Sequence, residues 1–511
     1  MNRLILLVVS LLAFAAPLTA ATYTVTNTNN AGAGSLRDAI GQANASAGAD
    51  TIVFDTAGVF STVQTITLGG GQLVITGAVT IDAPSAANRR VTISANGNSR
   101  VFSVQLSGAG TVMLNHLTIR DGLTTDDGGK IQMASPAGST LALDDCTVTG
   151  GNARDGGGID AQVATLSLTN TLVSSNTASR TGGGIRATGS SAVTLLGVHL
   201  RYNNANHGAG NAHNGTLTNC TFSNNRANSH GGAIYNLAGA GDVLSLVHCT
   251  LTLNHSNQDN SGGGDGGGIR RVSGAVALVN TLVSGNDALL GAQDDISGAL
   301  TSLGHNLIGI ATGGTGFTNG VNGDLIGTNA YLGPLQNNGG PTFTHALLAG
   351  SPAIDAAATI PGSTDQRGVL RNGALNDIGA YELLPETYEY WAAHTFPTAA
   401  NTGMNQDYDG DGKSNIFEFG AGSDPTSATS SPVVTTSVAG GNFMADFGLS
   451  PLAPAGTSVL RFSTNLVTWQ NVAANLYQVV GADPVRNVVL YRVTLPTSTA
   501  PKLFVRLEHL P

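Results

Sequence analysis

The chain is poor in charge, aromatic residues and cysteine. Charged residues make up 11% and aromatic residues 5% of its 511 positions, whereas an ordinary globular domain is about 25% charged. The net charge is −10, which argues against nucleic acid or an anionic membrane as a partner. The three cysteines are an odd number without paired short spacing. A disulfide framework is therefore not expected.

Long apolar runs are also missing, except at the N-terminus. Asn2-Arg3 gives a short basic start, Leu4 to Ala16 is apolar, and Ala20 is a small residue suited to cleavage. The run is too short for a membrane span and is typical of a secretory signal. Residues 1–20 are therefore predicted to be a signal peptide, which would leave an exported chain without a transmembrane segment, either secreted or at the cell surface.

Glycine is abundant instead, with 69 residues, and part of it recurs in clusters. The clusters are Gly156-Gly157-Gly158-Ile159, Gly182-Gly183-Gly184-Ile185, Gly208-Ala209-Gly210-Asn211, Gly231-Gly232-Ala233-Ile234 and Gly266-Gly267-Gly268-Ile269. Successive clusters are 26, 26, 23 and 35 residues apart, counted on the third residue of each. A period in this range marks a repeat architecture. No helical periodicity appears within the unit, so a solenoid of strands is predicted.

Each repeat also contains a short apolar strand that ends in asparagine, as in Leu172 to Asn176 and Leu282 to Asn286. Stacked coils place equivalent residues about 4.8 Å apart. Inward Leu, Val and Ile would form a dry core, and each Asn amide could bond to the Asn above and below. Asn also tolerates a left-handed corner. The three cysteines, Cys146, Cys220 and Cys249, each open such a strand and are interpreted as buried ladder residues. A right-handed parallel β-helix is predicted.

The mature chain divides into five predicted segments. Residues 21–120 would form the N-terminal cap and first coils, 121–330 the β-helix repeats, and 331–384 its end; 385–430 would be a linker and 431–511 a small C-terminal β-sandwich. Within the first segment, Gly34 to Asn44 has helical periodicity with Ser35 placed as N-cap. This amphipathic helix would plug the open end of the solenoid.

Several motifs resemble known bacterial families. Residues 34–55 resemble the N-terminal region of secreted β-helix proteins, in which the pattern of Gly34 to Asn44 followed by Ala49 to Asp55 recurs. Phe222 to Asn225 with Gly231 to Ile234 resembles the repeat of polymorphic outer-membrane proteins. These resemblances imply a pectin-lyase-like β-helix with an adhesin-like role.

A further resemblance covers roughly residues 300–384. The motifs Leu332 to Pro341, Gly350 to Asp355, Asp365 to Gly368 and Asp377 to Glu382 look like the choice-of-anchor Q domain. That family places this segment at the end of a β-helix, before variable surface-attachment modules.

The linker carries the strongest local site, an acidic loop from Asp407 to Glu418. Carboxylates at loop positions 1, 3 and 5, Gly at 6 and Glu at 12 match the calcium loop of EF-hands. The predicted Ca²⁺ ligands are Asp407, Asp409, Asp411, Lys413 (through its carbonyl), Asn415 and Glu418. The loop also resembles dockerin and thrombospondin type 3 repeats, since Ser423-Asp424-Pro425 follows. One such loop predicts a structural ion that stiffens the link between domains.

Catalytic candidates are weaker. Parallel β-helices often carry polysaccharide lyases and hydrolases, whose sites cluster carboxylates on one face. An enzyme would need Asp126, Asp127, Asp144 and Asp155 to converge in one groove, with a raised-pKa acid or a basic partner such as Arg154 or Arg180. The remaining acidic candidates are Asp145, Asp160, Asp265, Asp294 and Asp295. We interpret the Asp144-Asp145 pair as a solvated corner, and Asp155 and Asp265 as turn residues.

Histidines are also concentrated in the middle of the chain. His199, His207, His213, His230, His248 and His255 fall within sixty residues. Their spacing matches neither a zinc pattern nor one ladder, so we interpret them as a scattered polar face. Gly304-His305-Asn306 superficially resembles a glycine-histidine motif of pectin hydrolases, but the strand motifs that precede it there are missing, and His305 is assigned to a turn.

These patterns leave three functional classes. The favoured one is an exported, non-catalytic, adhesin-like or carbohydrate-binding surface protein whose partner is an extracellular polysaccharide or a surface protein. The first alternative is a polysaccharide lyase or glycoside hydrolase on the same fold. The second is a structural envelope or matrix protein.

Overall fold

A computed structural model describes most of the chain up to residue 384 and parts of the remainder. The described residues are 20–162, 164–258, 264–288, 294–348, 351–371, 375–384, 389, 392, 395–396, 401–421, 425–427, 434–439, 442–449, 458–463, 470–472, 476–483, 488–496 and 504–509. The predicted signal peptide, apart from Ala20, lies outside the described residues.

The described residues between 22 and 326 form a parallel β-helix, which confirms the predicted fold class. A typical coil contains the four strands Ile159–Gln162, Thr165–Thr169, Leu172–Ser174 and Thr177–Ala178, and Ile185 opens the next coil directly beside Ile159. All pairings along the solenoid are parallel within the described part of the chain, and they build three sheets.

Sheet 1 contains two rows of strands that share two long members. The first row comprises Leu73–Ile75, Phe102–Val104, Ile131–Ala134, Ile159–Gln162, Ile185–Leu196, Gly210–Thr218, Ile234–Leu237, Ile269–Ser273, Ile296–Ala299 and Gly313–Thr315. The second row comprises Thr22–Val25, Asp50–Phe54, Val79–Asp82, Thr111–Asn115, Thr140–Asp144, Thr165–Thr169, the same Ile185–Leu196 and Gly210–Thr218, Val243–Val247, Ala275–Val279 and Thr301–Ser302.

Sheets 2 and 3 complete each coil. Sheet 2 comprises Gln64–Thr67, Val91–Ser94, Leu117–Arg120, Thr147–Thr149, Leu172–Ser174, His199–Arg201, Thr221–Ser223, Thr250–Thr252, Leu282–Val283, Leu307–Ile308 and Leu325–Ile326. Sheet 3 comprises Asn152–Ala153, Thr177–Ala178, Asn204–His207, Arg226–His230, His255–Ser256 and Asp287–Ala288.

The interior is built from ladders of like side chains, as the repeat predicts. The isoleucines that open the first-row strands stack inward and are at most 2% exposed: Ile131, Ile159, Ile185, Ile234, Ile269 and Ile296. Cys146, Cys220 and Cys249 are buried free thiols, as expected. Burial of apolar ladders supplies the main driving force for this fold, at roughly 25 cal/mol per Å² of apolar surface.

A buried asparagine ladder runs along the corner between sheets 2 and 3. Each side-chain amide donates to the next carbonyl oxygen over 2.7–3.1 Å, in the order Asn176, Asn203, Asn225, Asn254, Asn286. The carboxylate of Asp295 ends the series, 2.8 Å from Asn286 Nδ2. The ladder was predicted, but the left-handed conformation was expected at the Asn itself. It occurs instead at the residue before each ladder Asn, such as Ser175 with φ 55°. The ladder Asn itself uses its backbone N–H and its side-chain amide for hydrogen bonds to the neighbouring coils, as Asn176 does.

The ends of the solenoid are covered differently. The helix Leu36–Ala45 packs at the N-terminal end with Leu36, Ala39, Ile40 and Ala43 buried, and Ser35 Oγ accepts from the Asp38 N–H over 3.2 Å. Cap and buried face agree with the prediction. Three 3₁₀ turns also lie within the solenoid: Val59–Ser61, Ala87–Arg89 and Val321–Gly323.

Residues 331–384 turn back over the outer face of sheet 2, and we call them the strap. It begins with the antiparallel pair Leu332–Gln336 and Thr344–Leu347. Gln366 accepts from the Thr221 hydroxyl over 2.6 Å, and the Ala380 N–H donates to Thr250 Oγ1 over 2.9 Å. The strap therefore buries the outer face of sheet 2 in the C-terminal coils.

The C-terminal part contains a short helix and two antiparallel sheets. The helix is Asn415–Ala421. One sheet comprises Val434–Ala439, Asn442–Leu449, Val488–Pro496 and Gln478–Asp483, and the other Gln470–Asn471, Ser458–Ser463 and Phe504–His509. Phe447 and Val493 of the first sheet share a core with Leu460 of the second. This arrangement is the predicted small β-sandwich.

Candidate functional site

Two columns of polar residues lie side by side where sheet 3 turns into the first row of sheet 1. The turn is made by a left-handed glycine in each coil, with φ from 58° to 71°: Gly128, Gly156, Gly182, Gly208, Gly231 and Gly266. Each glycine, up to Gly231, donates its N–H to the carbonyl of the residue before the next glycine. This regular bonding fixes which side chains become neighbours.

The first column contains the residue before each of these glycines, and we call it the corner column: Asp127, Asp155, Thr181, His207, His230 and Asp265. The second contains residues on the first-row strands, and we call it the strand column: Gln132, Asp160, Arg186, Tyr235 and Arg270. Together they form the polar strip, which spans about 24 Å for five coil steps of about 4.8 Å.

Three carboxylates form the inner layer at one end of the polar strip. Asp127, Asp155 and Asp160 have side chains only 8%, 1% and 0% exposed. Arg186 Nη1 donates to Asp160 Oδ1 over 2.9 Å and lies 3.5 Å from Asp127 Oδ2. Gln162 Nε2 reaches the same two carboxylates, at 2.8 and 3.5 Å. Asp127 and Asp160 therefore share two donors, Arg186 and Gln162.

Burial raises the pKa of Asp160 to about 6, although Arg186 and Gln162 both act to lower it. Desolvation disfavours the ionised carboxylate, and a single ion pair offsets that penalty only in part. Asp160 therefore exchanges a proton close to neutral pH. Such a group beside a second carboxylate is typical of acid–base sites, although structural ion-pair networks perturb pKa values as well.

An outer layer of charge covers these carboxylates. Arg154 binds Asp127 with two parallel hydrogen bonds of 3.0 Å, and it lies 3.2 Å from Asp126. Arg180 lies 3.4 Å from Asp155. The side chains of Arg154, Arg180 and Asp126 are 46%, 60% and 59% exposed. The surface offered to solvent thus carries two guanidinium groups and one carboxylate. We call the inner and outer layers together the charge centre.

The other end of the polar strip is aromatic. The His207 ring stacks on Tyr235 at 4.8 Å and on His230 at 5.6 Å between ring centres. His230 Nδ1 lies 2.8 Å from Asp265 Oδ1, and Arg270 donates to Asp265 Oδ2 over 2.7 Å. These five residues form the aromatic centre. These aromatic side chains are half-buried and can contact a planar or ring-shaped ligand.

The sequence candidates are thus partly brought together. Asp126, Asp127 and Asp155 converge with Arg154 and Arg180, as the enzyme alternative requires. Asp144 does not: it lies on the second row of sheet 1, in register with Asn115 and Thr169. Interpreting Asp155 and Asp265 as simple turn residues was incomplete, because their carboxylates also bind charged neighbours. Asp145 pairs with Arg90 over 2.5 Å.

The histidines do not form one scattered face. His207 and His230 occupy the corner column, whereas His199 and His248 are buried at 1% exposure each. His255 Nδ1 lies 2.5 Å from Asp287 Oδ1, and the side chain of His213 lies outside the described residues. His305 has a left-handed φ of 55° and bonds to the Ala356 carbonyl over 2.8 Å, in agreement with a turn role.

Residues of the acidic loop also lie close together. Carboxylate oxygens of Asp407, Asp409 and Asp411 lie within 4.8 Å of one another. Asp409 Oδ2 is buried without a hydrogen-bond partner, and Glu418, on the helix that follows, is 0% exposed. This donor set of hard oxygen atoms fits Ca²⁺.

The other two predicted ligands shape the same loop. The Asn415 side chain accepts from the Tyr408 N–H over 3.0 Å and donates to the Asn401 and Gly403 carbonyls over 2.8 and 3.0 Å. The Lys413 ammonium contacts the Asp411 carboxylate. The ligand roles of all six residues stay predictions.

Comparison with known proteins gives short or distant similarities. The family described as Chlamydia polymorphic membrane protein (Chlamydia_PMP) repeat matches residues 219–237, which confirms that predicted resemblance. Toxin CdiA of Escherichia coli is 30% identical over 203 residues, 36% of this chain and 6% of that protein. Probable pectate lyase C of Aspergillus terreus is 27% identical over 178 residues, 35% of this chain and 38% of that protein. The chain thus spans well under half the length of both relatives.

Two solved structures are similar at low identity. The crystal structure of pectate lyase Pel9A aligns at a TM-score of 0.39 and 12% identity, covering 72% of this chain and 98% of that one. ORF18 of Geobacillus virus E2 aligns at a TM-score of 0.30 and 11% identity, covering 65% of each chain. The resemblances to choice-of-anchor Q and dockerin segments stay predictions. Among the described residues, no helix has the length and apolarity needed to cross a membrane.

Proposed function

We propose that this protein is an exported, polysaccharide-active β-helix protein that binds a glycan along the polar strip and cleaves it at the charge centre. One observation carries the proposal: Asp127, Asp155 and Asp160 converge beneath Arg154 and Arg186, and the pKa of Asp160 is raised to about 6. The non-catalytic role favoured from sequence assigned Asp155 to a turn, whereas its carboxylate lies in one group with those of Asp127 and Asp160.

The layered charge favours an acidic polysaccharide. Guanidinium groups bind carboxylates through paired hydrogen bonds, and Arg154 and Arg180 are the most exposed cations of the charge centre. A sugar carboxylate that pairs with Arg154 would compete with Asp127 and release it from its two hydrogen bonds. Similarity to a protein named as a probable pectate lyase agrees with a charged glycan.

The proposed chemistry is acid–base catalysis. Asp127, once released, would act on the substrate as the proton-transferring carboxylate, and Asp160 would hold or release a proton beside it through their shared donors Arg186 and Gln162. In a lyase, the base removes the proton next to the uronate carboxyl, the bond to the leaving oxygen breaks, and that oxygen is protonated. In a hydrolase, water supplies the nucleophile.

The aromatic centre would hold the glycan without reacting with it. Sugar rings present apolar C–H faces, and the stacked rings of His207, Tyr235 and His230 lie one to two coil steps from Arg186. Successive weak contacts along one strip strengthen each other through effective concentration.

The test is incubation of the mature chain with acidic and neutral polysaccharides in the presence of calcium. Retention, new reducing ends and the ultraviolet absorbance of unsaturated products are followed together. Unsaturated products would support a lyase, and reducing ends without them a hydrolase. Retention without shortening would favour the second candidate, an adhesin-like binding protein. The complete burial of Asp160 is the observation that favours this candidate. Neither retention nor shortening would contradict both.

We also propose that the loop from Asp407 to Glu418 binds one structural Ca²⁺. Support comes from the three clustered carboxylates and from the left-handed Gly412, whose φ of 87° permits the sharp turn. Calorimetry on chelator-treated full chain should detect one Ca²⁺ per chain and much weaker binding of Mg²⁺, which prefers strict octahedral geometry. No heat at millimolar Ca²⁺ would reject the site.

A further inference from the structure

A partly open cavity lies on the outer face of sheet 2, at the edge of the strap and away from the polar strip. Its volume is about 130 Å³. His199 and Leu172 line the sheet side, and Phe343 lines the strap side. An engineered enclosed cavity of about 150 Å³ holds a benzene molecule; the present cavity is slightly smaller but partly open, so it suits a ligand of about that size.

The cavity wall contains an imidazole nitrogen without a partner. His199 is 1% exposed, and its Nε2 atom has no hydrogen-bond partner. Phe343 stacks over the ring at 6.5 Å. Burial first, and then the charge of Arg201, lower the pKa of His199 to about 3, so the ring is neutral and can donate one hydrogen bond. Thr221, the neighbour of His199 on the next strand of sheet 2, does have a partner: its hydroxyl donates to Gln366 of the strap.

The same cavity contains a cation without a counter-charge. The Arg201 guanidinium lies 5.1 Å from the Phe343 ring centre and 5.7 Å from that of Tyr202. Its Nε atom is buried without a hydrogen-bond partner, and within the described part of the chain no carboxylate lies within 4.0 Å of it. Arg90 and Asp145 also line the cavity, but they neutralise each other in an ion pair of 2.5 Å.

We propose that this cavity binds a small organic carboxylate, with its carboxylate on Arg201 and His199 and its apolar part against Phe343 and Leu172. A guanidinium matches a planar carboxylate through parallel N–H donors. Leu172, Pro341 and Phe343 give the cavity an apolar part that favours a ligand with an apolar group, and the uncompensated charge of Arg201 disfavours a cation. Inorganic sulfate shares the anionic chemistry and therefore serves as one arm of the test.

The test is calorimetry on the full chain with benzoate, benzyl alcohol and sulfate. Benzoate should bind, benzyl alcohol should bind at least about tenfold more weakly because it lacks the charge, and sulfate should bind more weakly than benzoate. Absence of benzoate binding at about 10 mM, which corresponds to less than about 3 kcal/mol of binding free energy, would overturn the proposal. Equal binding of benzyl alcohol and benzoate would also overturn it, because the carboxylate would then contribute nothing to the affinity. Sulfate binding as tight as that of benzoate would overturn it as well.

Variants separate the site from general charge effects. Arg201→Gln should weaken benzoate binding by about tenfold or more, and His199→Gln should weaken it while filling a similar volume. The matched control is Arg226→Gln, which removes the same charge from an exposed position on sheet 3. Circular dichroism checks that each variant is folded. A folded Arg201→Gln protein with unchanged affinity, or equal weakening in the control, would overturn the proposal.

Discussion

The Arg186 guanidinium donates to the Asp160 carboxylate over 2.9 Å, and the two residues are direct neighbours on adjacent coils of sheet 1. Because each coil repeats the backbone of the one before it, a carboxylate and a cation at the same position of two repeats must meet. The charge centre is thus a product of repeat register: equivalent positions of successive repeats supply its charged side chains.

Asp160→Asn should lower glycan cleavage by about 10²–10⁴-fold, the usual range for loss of an acid–base group. The amide keeps the volume and can still accept from Arg186, so retention of the glycan should change little and the loss should appear in kcat rather than KM. Initial rates over a range of substrate concentrations measure the split.

Asp144→Asn is the matched control for that variant. Asp144 lies outside the charge centre, on the second row of sheet 1, and its amide variant should cleave at the wild-type rate. Equal losses in both variants, or an Asp160→Asn enzyme with full kcat, would rule out an acid–base role for Asp160.

The stability of the folded chain should depend on pH through Asp160. Its folded pKa is about 6, raised by burial, whereas an unfolded Asp titrates near pH 3.9. The folded state therefore binds the proton more tightly, and the contribution of Asp160 to stability is full below about pH 4 and lost as pH rises through about 6. Its size is on the order of 1–3 kcal/mol.

Thermal unfolding of wild-type protein and Asp160→Asn across pH 4 to 7.5 isolates this contribution. Asp294 and Asp295 also have pKa values raised to about 6 by burial, so the wild-type profile alone does not assign it. The difference between the two melting temperatures should change through about pH 6. A constant difference would contradict the assignment.

Much of this architecture could be predicted from sequence because it depends on local repeats. The buried ladder of Asn225 and its equivalents, the Ser35 cap and the inward cysteines follow from residue type and period. The polar strip was missed although its signal is visible: aligning the glycine clusters places Asp155 and Asp160, then His230 and Tyr235, at the same two positions of the repeat.

The strap could not be predicted in the same way. Thr221 and Gln366 are 145 residues apart in the chain, and nothing in either local sequence specifies the contact. Its position depends on which outer face of the finished solenoid remains to be buried. The cavity beside His199 forms between sheet 2 and residues 341–343 of the strap, so local sequence patterns could not predict it either.

Asn225→Ala should destabilise the β-helix by about 2–4 kcal/mol. The Asn225 amide donates to the Leu200 carbonyl and to Asn254 Oδ1, and its oxygen accepts from Asn203. Truncation leaves these buried groups without partners, each costing about 1–3 kcal/mol. The midpoint of urea unfolding measures the change.

Asn224→Gly provides the comparison one residue away. Asn224 has a left-handed φ of 57°, which glycine adopts without steric cost. The substitution should lower the free energy of unfolding by less than about 1 kcal/mol, as do most substitutions away from buried networks. If both variants lose the same stability, the ladder does not have the role argued for it.

Arg371→Met should loosen the strap by about 3–5 kcal/mol, the cost of breaking a buried ion pair. Its side chain is 0% exposed and donates to Glu382 Oε2 over 2.8 Å and to the Gly379 carbonyl over 2.8 Å. Removing the cation leaves the Glu382 carboxylate buried without its charge partner. Faster proteolysis within residues 331–384, with slower change elsewhere, would report the loosening.

The double variant Arg371→Met with Glu382→Gln should recover part of that loss. The neutral amide no longer needs a buried counter-charge, so the two substitutions are not additive. Additive losses in the urea midpoints would mean that the pair contributes only packing, and the strap would then be held mainly by its hydrogen bonds to Thr221 and Thr250.

Asp411→Asn should weaken Ca²⁺ binding by about tenfold or more, because the ion depends on the charge of its oxygen ligands. Asp82→Asn, a half-exposed carboxylate of the second row of sheet 1, removes the same charge far from the loop in sequence and should leave the affinity unchanged. Calorimetry gives the affinity, and protection of the 401–421 segment from proteolysis gives the structural effect. Equal Ca²⁺ affinity of the two variants would contradict the ligand role of Asp411. Binding without protection of the segment would contradict the stiffening role that the loop predicts.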